Sequence, residues 1–439
     1  MNTHSYSWLT ARAGRYGAIS LAATALALGA LVPAAGRADA ASVLYVSQGG
    51  LDHGTCTAAS PCATVSYALT KAPSGAAIEV SGTIHDHPVI STPVTVTTWP
   101  GGPAGSPAVI DGTASGAVVT VAASGVTLHD LTVEHGALGV YNSEGVLTLS
   151  DSTVTGNSTV AEPYAGLWNY ADSTTTVIDS TITGNSGAGS VGAGIDNNGT
   201  LTVVASTIAG NHGGGIYSGQ DDTASLGATI VAGNTGHNCS AYDAGSLDSA
   251  GYNLTSDPNG SACAFTAVTD YVDKNPQLGS LAANGGPTRS LLPAANSPAA
   301  NVIPRGMTLR GVTVCPGADQ RGAARPGRGE TGCTIGAAEA SYTAPTATSV
   351  SLQPAKVKAG TRVIYLAVVT PHPGTGTPAG TVTFTTGSSS LCRAVLSGGV
   401  AACGAASAPV GTRTVTAAYS GGGGYAASSG KATLTVTKP

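Results

Sequence analysis

The chain has 439 residues, of which 62 are Gly, 24 are Pro and only 9% are charged. Average globular domains have about 25% charged residues, and charged disordered chains and coiled coils have a higher fraction. The composition therefore excludes charged disorder and coiled coils. Aromatic residues make up 5% of the chain, so Val, Ile, Leu and Ala must build the core. The length predicts roughly two to four domains, and the composition is typical of a β-rich exported protein.

Charge is distributed unevenly along the chain. Residues 72–273 contain 18 Asp and Glu but no Lys or Arg, whereas residues 274–439 contain 14 Lys and Arg and three acidic residues. Because affinity for nucleic acid depends on cations that meet phosphates, the acidic part excludes nucleic acid as its partner.

The first 40 residues have the pattern of a signal peptide. Arg12 and Arg15 precede an apolar run over residues 18–32, and Ala38-Asp-Ala40 has the small residues of a cleavage site. The run is too short to favour a membrane span, and no later stretch is long enough. We therefore expect a mature chain from Ala41 that has no membrane span and is extracellular, either secreted or held at the cell surface.

The eight cysteines form four couples that are close in sequence. In an exported chain, an even number of cysteines predicts disulfides. Zinc binding is the alternative, but no Cys-x-x-Cys spacing occurs. The predicted disulfides are Cys56–Cys62, Cys239–Cys263, Cys315–Cys333 and Cys392–Cys403.

A repeat of 23 to 28 residues dominates the first half of the chain. Segments such as Asp151-Ser-Thr-Val-Thr-Gly-Asn157 and Asp179-Ser-Thr-Ile-Thr-Gly-Asn185 recur between short β-type runs, with no helix-length period between them. Coils of this kind stack about 4.8 Å apart and form a parallel β-solenoid. Stacking predicts an apolar interior column of Val133, Val154, Ile182, Ile208 and Val231. It also predicts an amide ladder of Asn157, Asn185, Asn211 and Asn234 at one corner.

This pattern resembles the pectate-lyase-like superfamily, whose fold is a right-handed, single-stranded parallel β-helix. The resemblance implies an all-β chain with this helix over residues 41–275. The opening, Leu44-Tyr-Val-Ser-Gln-Gly-Gly50 with Pro61-Cys-Ala-Thr64 and a short amphipathic helix near 65–72, is similar to the cap of secreted members. A cap is needed because an uncovered first coil exposes strand edges.

Two further segments follow the repeat. Residues 276–340, with Asn284-Gly-Gly-Pro-Thr288 and Asp319-Gln-Arg-Gly322, resemble the choice-of-anchor Q domain found after β-helices in bacterial surface proteins. Residues 346–439 contain alternating runs separated by turn residues, which predict a small β-sandwich. They resemble the bacterial Ig-like repeats of exported adhesins, and this resemblance implies a spacer.

Three aromatic residues occupy one position of the repeat. Tyr141, Trp168 and Tyr217 each follow an apolar residue that should point inward, so the rings should point outward; Asp196 interrupts the column. Outward rings beside acidic groups predict a platform that stacks against sugars. The alternative interpretation is that the rings only cover one another across coils.

Two groups of residues are metal-site hypotheses. In a strand, His85 and His87 face the same side and need a third ligand from the next coil; the alternative is an exposed loop. Asp130, Asp151 and Asp179 should stack in one column, where calcium would relieve their repulsion. The alternative is that Asp begins a bend at this position. The sequence itself indicates no required cofactor, and calcium is the ion that the aspartate column would bind.

The sequence assigns no catalytic residue. β-Elimination needs a base and a cation that stabilises the developing carboxylate charge, and residues 72–273 offer no Lys or Arg for either role. Asp221 and Asp222 suggest acid–base hydrolysis but lie in a turn-like segment. We therefore expect a non-catalytic surface or secreted protein whose β-helix binds extracellular polysaccharide or a surface protein. The alternative is a polysaccharide lyase or glycoside hydrolase that acts in the β-helix groove.

Overall fold

The structure, a computed structural model, describes most of the chain from residue 42 onward. It covers residues 42–439 except 104–107, 190–191, 243–245, 259–262, 328–329, 341–345, 372–376, 407 and 423–424. The predicted signal peptide over residues 1–40 lies outside the described residues. Within the described part, Val65–Leu69 is the only α-helix and the regular structure is otherwise β, so the predicted all-β class is confirmed.

The first large unit is a parallel β-helix, as the repeat predicts. Each complete coil passes through three parallel sheets, here called sheet 1, sheet 2 and sheet 3, in that order. Sheet 1 has nine strands, Val43–Ser47, Ala76–Ser81, Val94–Thr98, Ser124–His129, Val146–Ser150, Thr174–Ile178, Thr200–Val204, Thr223–Gly227 and Ser246–Gly251. Sheet 2 has eight, Thr83–His85, Ala108–Asp111, Leu131–Glu134, Thr153–Thr155, Thr181–Thr183, Thr207–Ala209, Ile230–Ala232 and Leu254–Thr255. Sheet 3 has seven, Val89–Ile90, Ala117–Val121, Leu138–Asn142, Leu167–Asn169, Ile195–Asn197, Ile216–Ser218 and Cys239–Ala241.

The predicted apolar column is confirmed in sheet 2. Val154 lies between Val133 and Ile182 of the neighbouring coils. Ile208 and Val231 continue the column, and all five side chains are fully buried. Burying one such side chain contributes about 1.5–3 kcal/mol, so each added coil extends a continuous core.

The predicted asparagine ladder is also confirmed. Asn157 donates from Nδ2 to Oδ1 of Asn185 at 2.9 Å, and Asn185 donates in the same way to Asn211 at 3.0 Å. Asn211 continues to Asn234, which donates to Asn238, one step beyond the prediction. The same Oδ1 atoms accept backbone N–H groups, which a tight corner would otherwise leave unpaired.

A second amide ladder lies at the end of sheet 3 and was not predicted. Asn142 donates to Oδ1 of Asn169 at 3.2 Å, and Asn169 donates to Oδ1 of Asn197 at 2.8 Å. All three side chains are fully buried. Their Gly-x-x-Asn repeat at 139–142, 166–169 and 194–197 was the available signal.

Residues 276–340 fold back onto the outer face of sheet 2. Gln320, which is fully buried, donates to Oγ1 of Thr153 at 2.9 Å and accepts from Oγ1 of Thr181 at 2.5 Å. The backbone N–H of Ala337 donates to Oγ1 of Thr207 at 3.0 Å. Three short antiparallel pairs shape this segment: Ile303–Pro304 with Gly332–Cys333, Met307–Leu309 with Val312–Cys315, and Gly317–Ala318 with Ala324–Arg325.

The C-terminal unit is a two-sheet β-sandwich, as predicted. One sheet contains Thr346–Gln353, Arg362–Pro371 and Val400–Ala406. The other contains, in spatial order, Lys356–Lys358, Ser428–Thr437, Gly411–Tyr419, Thr381–Thr386 and Ser389–Val395. Tyr365 and Phe384 pack in its core with ring centroids 5.8 Å apart.

All four predicted disulfides are present. Cys56–Cys62 lies beside the short helix Val65–Leu69 at the N-terminal end of the β-helix, where Thr64 caps the helix by accepting from the Tyr67 N–H at 3.1 Å. No helix among the described residues has the length and apolar character needed to cross a membrane.

Candidate functional site

The outer face of sheet 3 carries the predicted aromatic column. Tyr141 pairs with Trp168, Trp168 with Asp196, and Asp196 with Tyr217 in successive coils. The residues that precede the rings are fully buried, whereas the ring residues are partly exposed. The sequence therefore placed these residues correctly in one outward column.

Tyr141 and Trp168 of this column belong to a cluster of four contacting rings. The Trp168 indole stacks on Tyr141, with centroids 4.7 Å apart and planes 17° apart, and on Tyr164, at 4.0 Å and 11°. Tyr170 meets both Tyr141 and Trp168 edge to face. We call Tyr141, Tyr164, Trp168 and Tyr170 the aromatic cluster.

Tyr164 and Tyr170 were missed in the sequence because they lie outside the repeat position. Both flank the strand Leu167–Asn169, so proximity to Trp168 was the available signal. Trp168 donates from Nε1 to Oδ1 of Asn198 at 2.9 Å, which fixes the indole. Tyr170 is 43% exposed and is the member of the aromatic cluster that solvent reaches most.

Asp196 is a buried carboxyl group on the outer face of sheet 3. It is 4% exposed, and burial, together with the nearby negative charge of Asp222, raises its pKa to about 7. Burial and Asp221 also raise the pKa of Asp222. A Cβ on Gly192 would come within 3.0 Å of both Asp196 Oδ2 and Tyr217 Cβ, so the chain passes directly over this carboxyl group.

The predicted aspartate column lies at the bend between sheet 1 and sheet 2. Asp130, Asp151 and Asp179 all have left-handed backbones, with φ of 55°, 52° and 44°, and so do Ala205 and Ala228 at the equivalent positions. Asp tolerates this conformation better than most residues. The geometry therefore supports the interpretation that Asp begins a bend here.

Cationic side chains already contact these carboxylates. His129 lies 3.2 Å from Asp130 and 3.3 Å from Asp151, and its hydrogen bonds to these two groups raise its pKa to about 10. Arg325 lies 2.9 Å from Asp179 and belongs to residues 276–340, which we call the covering segment. Even so, burial raises the pKa of Asp179 to about 7. Calcium at this column stays the alternative hypothesis.

The covering segment brings arginines to a face that has none of its own. Arg289 contacts Glu134 and Arg325 contacts Asp179. The β-helix therefore has cations on its surface although residues 72–273 contain no Lys or Arg. Both arginines are nevertheless paired with carboxylates.

His85 and His87, the other predicted metal ligands, have different surroundings. The imidazole of His85 lies 3.7 Å from Asp111 and is exposed. His87 Nδ1 lies 2.9 Å from the Ala117 carbonyl oxygen, and its Nε2 lies 3.4 Å from Ser115 Oγ. A metal at His85 and His87 stays a prediction.

Two cavities lie away from the aromatic cluster. One, of about 600 Å³, lies between the outer face of sheet 2 and the covering segment, with Thr183, Ala232 and Leu278 among its lining residues. The other, of about 310 Å³, lies by Gln48 and His53 near the N-terminal cap. Each lining contains one titratable side chain, Asp273 in the first cavity and His53 in the second.

Comparison with known proteins identifies one domain. Residues 350–437 match the family described as bacterial Ig-like domain (group 3), which confirms the Ig-like prediction for the sandwich. No curated protein matches the chain significantly. The choice-of-anchor Q resemblance of residues 276–340 found no counterpart in these comparisons and stays a prediction.

Among solved structures, the chain is similar to pectate lyase Pel9A. The match has 10% sequence identity and a TM-score of 0.34, and it covers 68% of this chain and 96% of that chain.

Proposed function

We propose that this protein is an exported, non-catalytic binding protein whose aromatic cluster recognises extracellular polysaccharide. The observation that carries the proposal is the group of four contacting rings on the outer face of sheet 3. Sugars present apolar C–H faces that pack on aromatic rings, while their hydroxyl groups meet nearby polar atoms. Tyr170 offers the exposed ring, and Glu162 and Asp196 lie close to Tyr164.

The charge of the β-helix indicates the kind of polysaccharide. Residues 72–273 contain acidic side chains and no Lys or Arg. Like charges disfavour binding, so we expect neutral chains to bind better than polyuronates. The four disulfides support an oxidising, extracellular location, and the Ig-like domain would act as a spacer.

Affinity electrophoresis in gels that contain neutral or uronate polysaccharides tests the proposal. Tyr170→Ala and Trp168→Ala should each weaken binding of the retained polysaccharide about ten-fold, the equivalent of about 1.4 kcal/mol. Trp99→Ala is the matched control, because Trp99 also packs on a tyrosine, Tyr45, at 4.7 Å. Equal binding by wild type and both cluster variants would reject the proposal, and retention by a surface protein alone would favour the protein-partner alternative.

One observation favours a second candidate function, a glycoside hydrolase. A carboxyl group whose pKa is about 7 is suited to act as a general acid at neutral pH, and Asp196 has this property beside Asp222 and the aromatic cluster. Release of reducing ends that is lost in Asp196→Asn would establish this function. Release of unsaturated uronate products would instead establish the lyase alternative.

A further inference from the structure

The start of sheet 2 aligns three side chains of types that bind metals. His85 pairs with Asp111, and Asp111 pairs with Glu134, in three successive coils. Neighbouring strands in a sheet lie about 4.8 Å apart, so equivalent outward side chains become close neighbours. This stack occupies one column although its members are 26 and 23 residues apart in the chain.

His135 completes the group because of its backbone conformation. It follows Glu134 at the end of the strand and has a left-handed φ of 59°. This turn brings its Nδ1 to 2.9 Å from Oδ2 of Asp111. One ligand-type atom from each of Asp111, Glu134 and His135 lies within 4.8 Å of the others, and among the described residues they are the group of His, Cys, Asp and Glu with this geometry.

We propose that Asp111, Glu134 and His135 bind a divalent transition metal ion, with zinc as the best match, and that His85 is the fourth ligand. Imidazole nitrogens and carboxylate oxygens together are a typical zinc ligand set, whereas calcium prefers oxygen ligands alone. The site is independent of the aromatic cluster, which lies on sheet 3.

The burial of the ligands is suited to capture of an ion. The side chains of Asp111 and Glu134 are 14% and 15% exposed, whereas those of His135 and His85 are 55% and 63% exposed. Zinc bonds of about 2.0–2.2 Å place tetrahedral ligand atoms about 3.3–3.6 Å apart. Small rotations of the two exposed imidazoles would therefore close the group around an ion held by the two fixed carboxylates.

Neighbouring contacts fix these carboxylates and leave ligand atoms available. Asp111 accepts at Oδ1 from the Thr113 N–H at 2.8 Å. Glu134 contacts Arg289 through Oε2, so its Oε1 can face the ion. Hydrogen bonds of this kind commonly orient metal-binding carboxylates.

His87 and Asp86 are left out of the ligand set because their side-chain contacts are with residues outside the group of His85, Asp111, Glu134 and His135. Both ring nitrogens of His87 have partners in Ala117 and Ser115. Asp86 accepts from the N–H and the hydroxyl of Ser66 at 2.7 and 2.6 Å. The structure thus assigns the metal ligands to the sheet 2 column and its adjoining turn.

Isothermal titration with zinc chloride tests the site. The full chain, without a histidine tag, is treated with chelator, desalted and titrated. We expect one zinc ion per chain with a Kd of about a micromolar or below, and Kd values at least about ten-fold higher for His135→Asn and His85→Ala. Asn is chosen at 135 because it tolerates the left-handed backbone, and His53→Ala is the control for an exposed histidine elsewhere.

Two further measurements make the outcome decisive. Circular dichroism of each variant establishes that it is folded, and the visible absorption of bound cobalt reports tetrahedral nitrogen and oxygen ligands, which His135→Asn should lose. Absence of stoichiometric zinc binding to wild type would overturn the proposal. Equal affinity of wild type, His135→Asn and His85→Ala would overturn it as well, since zinc would then bind elsewhere.

Discussion

The outer faces of sheet 2 and sheet 3 are built from the same repeat, but residues 276–340 cover the face of sheet 2 and leave the aromatic cluster on sheet 3 partly exposed. On sheet 2, Thr153, Thr181 and Thr207 are fully buried because residues 276–340 lie on them. On sheet 3, the aromatic cluster remains partly exposed. An outward column therefore becomes a structural interface or a binding surface according to what covers it.

The two faces also differ in how they handle buried charge. At the bend that leads into sheet 2, Arg325 donates to Asp179, and it also donates to the carbonyl oxygens of Thr334 and Gly336. On sheet 3, Asp196 is buried with no cation beside it among the described ion pairs. Burial raises the pKa of both Asp179 and Asp196 to about 7, but Asp179 has the Arg325 guanidinium beside it, whereas Asp196 has the carboxyl group of Asp222 nearby.

The largest expected effect is on the covered face. Arg325→Met should destabilise the β-helix by about 3–5 kcal/mol, because it leaves Asp179 and Glu339 without their cation in a buried place. Urea unfolding followed by tryptophan fluorescence measures this, since residues 346–439 contain no Trp and only the β-helix reports. Arg305→Met, at an exposed position, is the control; a loss under about 1 kcal/mol for Arg325→Met would contradict the comparison.

On sheet 3, removal of a charged group is expected to increase the stability of the protein. Burial raises the pKa of Asp196 to about 7 from 3.8. Its neutral form therefore stabilises the fold fully below pH 3.8, and this stabilisation is lost as pH rises through about 7. Asp196→Asn should therefore be more stable than wild type above pH 7, by about 2 kcal/mol, and similar to it near pH 3.8. The measurement is urea unfolding at both pH values with the exposed Asp248→Asn as control; a variant less stable than wild type above pH 7 would contradict the burial argument.

A smaller effect is expected at the bend between the sheets. Hydrogen bonds to Asp130 and to Asp151 raise the pKa of His129 to about 10 from 6.5. The stabilisation from its positive charge is therefore fully present below pH 6.5 and is lost as pH rises through about 10. Between these values the melting temperature of wild type should fall more than that of His129→Gln. The exposed His237→Gln should follow wild type, and identical profiles for wild type and His129→Gln would show that the histidine does not bridge the carboxylates.

The smallest expected effect is that of calcium. His129 and Arg325 already provide positive charge to Asp130, Asp151 and Asp179. We expect calcium chloride to leave the melting temperature of chelator-treated protein unchanged, although ligand binding to the native state would raise it. A rise that is lost in Asp151→Asn would instead establish calcium at this column.

The sequence alone determined the features that repeat. The coil period, the apolar column at Val154, the Asn157 ladder and the outward Trp168 column all follow from spacing, because each coil pairs in register with the next. Backbone pairing converts a spacing along the chain into a contact in space, and so these positions could be predicted without coordinates.

The tertiary structure decided what lies on top of the repeat. Asp179 and Arg325 are 146 residues apart, and Arg289 reaches Glu134 across 155 residues, through a segment with no period to reveal its path. His135 joins Asp111 only because a turn with positive φ follows the strand. Contacts made by irregular chain depend on packing and turn geometry rather than on spacing. The covered face and the grouping of Asp111, Glu134 and His135 beside the predicted ligand His85 therefore emerged only from the folded chain.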